Sequence, residues 1–179
     1  MAVPLTTTAK NFSGTYTMNK TLGDSSDEML KMQNIGWIVR KVIANSAVTT
    51  TLKQYTDDKG LQKLDLEQLS TGGMKTDEER VLDWEWRDTT DKVWGKVKGR
   101  ARLIKVDTIT DPYLKEGWSQ DCLEGEVLEN EIESLTEGWK VLQIWGFAEV
   151  DGKRRQIRRV RCNKNKKELK IRLVYDWQA

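Results

Sequence analysis

From Ala47 to its C-terminus the chain is a succession of short β-prone segments, each closed by turn residues. "AVTTTLKQY", "LQKLDLEQL", "EERVLDWEWRD", "KVWGKVKGRARLIKV", "EGEVLENEIESL", "GWKVLQIWGFAEV", "RRQIRRVRC" and "ELKIRLVYDW" are separated by "TDDKG", "STGGMKTD", "DTTD", "LTEG", "VDGK" and "NKNKK". An open sheet of that many strands exposes two edges of unpaired backbone, and closure removes them. The expected fold is therefore all-β, an up-and-down antiparallel barrel of about eight to ten strands. One domain over residues 1–179 is expected, large enough to bury roughly 70% of its unfolded surface around a core or a ligand.

The first thirty-odd residues differ. Phe12, Gly14, Tyr16 and Met18 alternate with Ser13, Thr15 and Thr17, the pattern of a strand with one dry face. Asp24, Ser25, Ser26 and Asp27 then offer helix caps, and Met29, Leu30, Met32 and Gln33 follow at helical spacing until Gly36 interrupts. Trp37, Ile38, Lys41 and Val42 form a second short helix, so residues 25–45 are expected to plug a gap between strands. Only "TITDPYLKEGWSQD" breaks the later rhythm. Pro112 follows Asp111 there, and the stretch is expected to be a loop or single helical turn at one barrel mouth, a candidate lid.

Some strands are apolar on both faces. Trp139, Val141, Trp145 and Phe147 share one parity, while Leu142, Ile144, Ala148 and Val150 share the other, as expected where one face lines a cavity and the other packs beneath a loop or a neighbour. In "RRQIRRVRC", Arg155, Ile157, Arg159 and Arg161 oppose Gln156, Arg158, Val160 and Cys162, so at least one basic or amide group points inward and needs a partner.

The order of strand, two short helices and antiparallel meander resembles that of intracellular fatty-acid-binding proteins, members of the calycin superfamily. Phe12, Gly14 and Tyr16 resemble that family's F-x-G-x-W start, Met29 and Leu30 its first-helix core, and Gly36, Arg40 and Lys41 its G-x-x-x-R-K signature. Arg172 and Tyr175 look like its terminal R-x-Y carboxylate clamp with one residue inserted, which puts the two side chains on opposite faces unless a bulge intervenes. Tyr175 is then expected on the side of Ile171, Leu173 and Trp177. Overall the chain, longer than usual for that family and carrying eight tryptophans, looks more like small lipocalin-like fungal proteins, some encoded beside secondary-metabolite pathways and acting as cyclases or isomerases. The resemblance implies a calycin barrel with a two-helix cap and a hydrophobic ligand inside.

Composition narrows the chemistry. There is no histidine, so Ser-His-Asp and Cys-His catalysis and His-dependent metal sites are excluded, and Cys122 and Cys162 are too few for a zinc cage. They are expected to be free thiols. No metal, cofactor or membrane span is expected, the expected compartment is the cytoplasm, and the oligomeric state is left open. A net charge of +2 argues against nucleic acid as partner despite "KRRQIRRVR", and "TGGMKTDEER" lacks phosphate-loop spacing and fits a hairpin turn.

Acid–base work would fall to Asp, Glu, Lys or Tyr. Asp83, Glu85 and Arg87 oppose Trp84 and Trp86 if their segment is one strand, and either set then lines the interior. Glu85, Asp83 and Tyr175 are the expected proton handlers, with Arg87, Arg158 and Arg172 holding an anionic oxygen. Trp84, Trp86, Trp94, Trp139 and Trp145 are the expected aromatic walls and Gln143 a further ligand contact; Glu67 and Gln68 are weaker candidates. Such walls suit a flat conjugated or prenylated molecule better than a fatty chain. Two functions remain: a cofactor-independent enzyme of secondary metabolism that cyclises or isomerises an aromatic, polyketide- or terpenoid-like substrate, or a non-catalytic intracellular carrier of fatty acids or similar ligands.

Overall fold

The computed structural model describes residues 1–178. Strand β1 (Gly14–Met18) leads through α1 (Asp27–Met32) and α2 (Trp37–Asn45) to β2 (Val48–Thr56), β3 (Gln62–Ser70), β4 (Lys75–Val81), β5 (Arg87–Asp91) and β6 (Gly95–Ile104). A 3-10 turn (Val106–Thr108), α3 (Pro112–Lys115) and α4 (Gln120–Glu124) precede β7 (Val127–Ser134), β8 (Trp139–Val150), β9 (Lys153–Lys164) and β10 (Lys167–Gln178). All ten strands form one curled antiparallel sheet in the order β4-β3-β2-β1-β10-β9-β8-β7-β6-β5.

Pairing of β1 with both β10 and β2 joins the two ends of the chain, with Tyr16 opposite Trp177 on one side and Thr50 on the other. Gly14 permits this approach, because at its φ of +148° a Cβ would overlap the Trp177 ring. The remaining edges, β4 and β5, are not hydrogen-bonded to each other. Residues 82–86 cross between them, and the Trp84 amide donates to the Ala101 carbonyl on β6 at 2.9 Å.

That crossing corrects the expectation of one continuous strand through "EERVLDWEWRD". Trp84 has φ +65°, a left-handed conformation that reverses side-chain alternation and is uncommon for a bulky residue. It is held from outside. Trp84 lies under Arg100 and Arg102 at 4.0 and 3.9 Å, and Trp86 under Lys98 and Arg100 at 4.5 and 4.3 Å. Each cation is in turn paired with a carboxylate of β7: Arg100 with Glu131, Arg102 with Glu129, Lys98 with Glu133.

One barrel end is packed solid by Phe12, Tyr16, Leu52, Leu64 and Phe147, all at most 2% exposed, with Phe12 and Phe147 stacked at 5.2 Å. The other is covered by α1 and α2. Met29 and Leu30 bury α1, whereas α2 buries no residue fully and is held by polar ties. Lys20 Nζ caps its C-terminal end by donating to the carbonyls of Ile43, Ala44 and Ser46, and Arg40 pairs with Asp27 at 2.9 Å.

Residues 105–125 do not lie at a mouth, contrary to the expected lid. They form a second layer on the outer face of β8 and β9, because that face is apolar and must be covered. Val106, Ile109, Leu114, Trp118 and Cys122 bury Ile144, Ala148 and Ile157 beneath them. Gly146 is the point of closest approach: a Cβ there would stand 3.0 Å from the Trp118 ring. Ion pairs Asp111–Arg161 and Asp121–Arg154, both 2.6 Å, and Glu116–Arg159, 3.3 Å, fasten the layer. Both cysteines are free and buried, and burial pushes their thiols up, Cys162 to about 11. Trp118→Ala is therefore expected to lower stability by about 3–5 kcal/mol in urea unfolding while leaving affinity for an apolar cavity ligand unchanged. A loss of affinity without loss of stability would restore the lid.

Candidate functional site

Between the packed end and the helical cap lies a cavity of about 590 Å³. Its walls follow from alternation. On β8 the inward positions are Trp139, Val141, Gln143 and Trp145, on β9 Arg158 and Val160, on β10 Ile171, Leu173 and Tyr175. Trp94 closes the upper wall, its indole N–H donating to Gln33 Oε1 of the cap at 3.1 Å. The carboxylates at the cavity boundary, among them Asp77, Glu78, Glu79 and Asp88, come from β4 and β5 on the unpaired side.

Arg158 dominates the deep end. It is 6% exposed, and its guanidinium carbon lies 3.7 Å from the Trp145 ring centre and 4.3 Å from that of Tyr175. No group among the described residues accepts from its Nε or Nη2. Burial therefore pulls its pKa down from the ordinary arginine value and pushes that of Tyr175 up. A guanidinium stays charged under such conditions, so the site holds a dry cation supported by π-faces, each worth about 2 kcal/mol when desolvated. Arg80 approaches the same indole from β4, at 4.6 Å, and is paired with Glu78 at 2.7 Å.

Further donors stand higher on the wall. Trp145 Nε1 donates to Gln143 Oε1 at 2.8 Å, which leaves the Gln143 amide nitrogen as a donor. Asn130, opposite Gln143 in the β7–β8 register and 2% exposed, has no acceptor for Nδ2, and Trp139 has none for Nε1. An apolar chamber whose unpaired polar groups are donors suits a conjugated ligand bearing acceptor oxygens.

The residues expected from sequence divide into two sets. Trp94, Trp139, Gln143, Trp145, Arg158 and Tyr175 come together on the cavity wall, with Gln68 on the same boundary. Arg87 borders the opening but is committed to Asp83, at 2.6 Å. Trp84 and Trp86 lie on the outer face of β6, Glu85 is exposed, and Glu67 pairs with Lys75. Arg172 turns away from the cavity to the Leu22 carbonyl at 3.1 Å, on the face opposite Tyr175; no bulge intervenes in the β9–β10 register. Sequence reasoning passed over Arg80 and Asn130. The alternation Glu129, Glu131, Glu133 in "ENEIES" carried a signal for Asn130, since it puts Asn130 on the apolar parity with Leu128 and Ile132.

The chain is 32% identical over 185 residues to pericyclase pydY of Acremonium sp, a match that takes in 99% of this chain and 97% of the relative. It is 30% identical over 181 residues to the probable pericyclase scpY of Mollisia scopiformis, covering 98% and 94%. Among solved structures, fatty-acid-binding protein 1 of Echinococcus granulosus superposes with a TM-score of 0.59 at 14% identity over 94% of this chain and 98% of that one. That likeness shows the fold, which is the calycin barrel. No protein-family profile matches the chain.

The geometry makes Asp83 and Glu85 bystanders to the cavity, so Glu85→Gln and Asp83→Asn are expected to leave ligand affinity unchanged. Hydrogen bonds from Arg87 hold the Asp83 carboxyl down at about 2. Its folded value lies below the unfolded one of about 3.9, so the pair stabilises above about pH 4 and that contribution is lost as pH falls toward 2. With both partners partly exposed it is worth at most about 1 kcal/mol, measurable as a shallower acid limb of stability in Asp83→Asn. A marked drop in ligand affinity for either variant would contradict the placement.

Proposed function

The chain belongs to the family of the fungal pericyclases pydY and scpY, and we propose that it is itself a pericyclase of secondary metabolism, closing a ring in a hydrophobic, conjugated precursor held inside the barrel. A pericyclic step moves electron pairs around a cyclic transition state with no net proton transfer and no redox change. What such a reaction asks of a protein is a folded substrate and donors placed where electron density builds up. The observation that carries the reading is the unpaired Arg158 guanidinium at the deep end of a tryptophan-walled cavity.

In this reading Arg158 and the Tyr175 hydroxyl anchor the oxygen-bearing end of the substrate. The conjugated chain then folds back along Trp145, Trp139 and Trp94, so that its reacting carbons meet in a near-attack geometry. Restricting a flexible chain to one folded conformer supplies up to about 7–11 kcal/mol of the barrier. The amides of Asn130 and Gln143, halfway up the wall, donate to a carbonyl conjugated with the reacting π-system and draw electron density from it. In a dry site one such donor is worth roughly 10²- to 10³-fold. The cap of α1 and α2 admits substrate and excludes water. No cofactor enters the scheme, and the cytoplasm is the compartment it assigns; no helix among the described residues is long and apolar enough to cross a membrane. The carrier reading draws on the same cavity and cap and differs in having no turnover.

The test is direct. Chelator-treated protein is incubated with a linear polyene precursor carrying a conjugated carbonyl, and ring formation is followed against the spontaneous reaction. Stereoselective cyclisation above background is expected, with Arg158→Gln and Asn130→Leu each lowering kcat/KM by about 10²-fold. Binding and exchange of precursors without acceleration would select the carrier.

A further inference from the structure

At the deep end of that cavity the charges do not balance. Arg80 and Arg158 both reach the Trp145 indole, and Glu78, paired with Arg80, is the one carboxylate bonded to either of them among the described residues. Arg158 Nε and Nη2 are fully buried and without an acceptor. On the outer surface Arg100 offers the same Nε–Nη2 edge to Glu131, at 2.8 and 2.6 Å. Inside the barrel those two nitrogens have no such partner, and Arg158 lines the cavity with a side chain more than nine-tenths buried.

The π-faces offset only part of the cost of removing this cation from water; an oxyanion beside the guanidinium would offset most of the remainder. Arg80 Nη1, also buried and without an acceptor, adds positive field from the facing strand. We propose that the cavity takes its substrate as a conjugate base: an organic oxyanion with charge delocalised over two oxygens, a carboxylate or the enolate of a β-dicarbonyl, bound by the Arg158 guanidinium in the field of Arg80. This deepens the pericyclase reading, since it names the head group that the anchor holds. Ionised substrate is selected and neutral analogues are disfavoured, because an ester or enol ether leaves the Arg158 charge unmatched.

Two ligand pairs measure this at neutral pH by quenching of tryptophan fluorescence: a conjugated tetraene carboxylic acid with its methyl ester, and an alkenoyl-1,3-cyclohexanedione with its O-methyl enol ether. In the wild-type protein the ionised member of at least one pair is expected to bind about tenfold or more tighter than its neutral partner, a difference of about 1.4 kcal/mol. The pair that shows the preference identifies the anion as carboxylate or enolate. Arg158→Gln is expected to bring the ratio close to one by weakening the anion and sparing the neutral ligand. Should that variant fail to fold, Arg80→Gln, on the edge strand β4, is expected to reduce the ratio several-fold. Equal affinity within both pairs, with quenching intact, would overturn the anion subsite and leave the cavity and its cyclase role standing. A preference undiminished in folded Arg158→Gln or in Arg80→Gln would overturn it as well. Absence of binding by all four ligands would overturn both this inference and the cavity reading on which it rests.

Discussion

One buried cation sets the terms for the rest of this molecule. Arg158 sits on the inner face of β9 without a protein acceptor for its Nε and Nη2, against the rings of Trp145 and Tyr175. A charge in that position is tolerated only if its surroundings cannot relax around it, because a mobile wall would let it reach water or a surface carboxylate. The structure meets this by backing the wall. β8 and β9 are covered on the outside by residues 105–125, fastened by three ion pairs and by Trp118 against Gly146. The apolar outer face of β8 exists to be covered, and the rigidity it confers is what keeps a cation pointed into an apolar chamber.

The same pair of residue types serves two purposes on the two faces of the sheet. Outside, Arg100, Arg102 and Lys98 stack on Trp84 and Trp86, but each has its own glutamate on β7, so the charges are satisfied and the ladder holds residues 82–86 against β6. Inside, Arg158 stacks on Trp145 and has no glutamate. Stacking on tryptophan thus does not mark a functional arginine; the missing counter-ion does. At the open side, α2 buries no residue fully and is tied to the body by Lys20 and Arg40, so few apolar contacts join it to the core below.

Much of this was legible in the sequence wherever alternation held. Regular hairpin spacing dictated the barrel, strict alternation put Trp139, Gln143 and Trp145 on one face of β8 and required an inward polar group on β9, and the R-x-x-Y spacing separated Arg172 from Tyr175; which face of each strand lined the interior was not legible. What misled was local. Trp84 at φ +65° breaks alternation within "LDWEW", so parity arguments for Asp83, Glu85, Trp84 and Trp86 had no strand to rest on. The segment around Pro112 has composition suited to a lid, and only tertiary packing reveals that it serves the outer face of the sheet. Arg80 was invisible for a third reason: its partner indole is on a strand at the far side of the sheet order, and no local pattern encodes a contact across the barrel.

A crystal structure of the protein with the cyclised product bound tests the central claim most directly. The account predicts product inside the barrel, an oxygen within about 3 Å of the Arg158 guanidinium, and the new ring against Trp139 and Trp145. Product with its polar end at the helical cap, and Arg158 still unpaired beneath it, would contradict it.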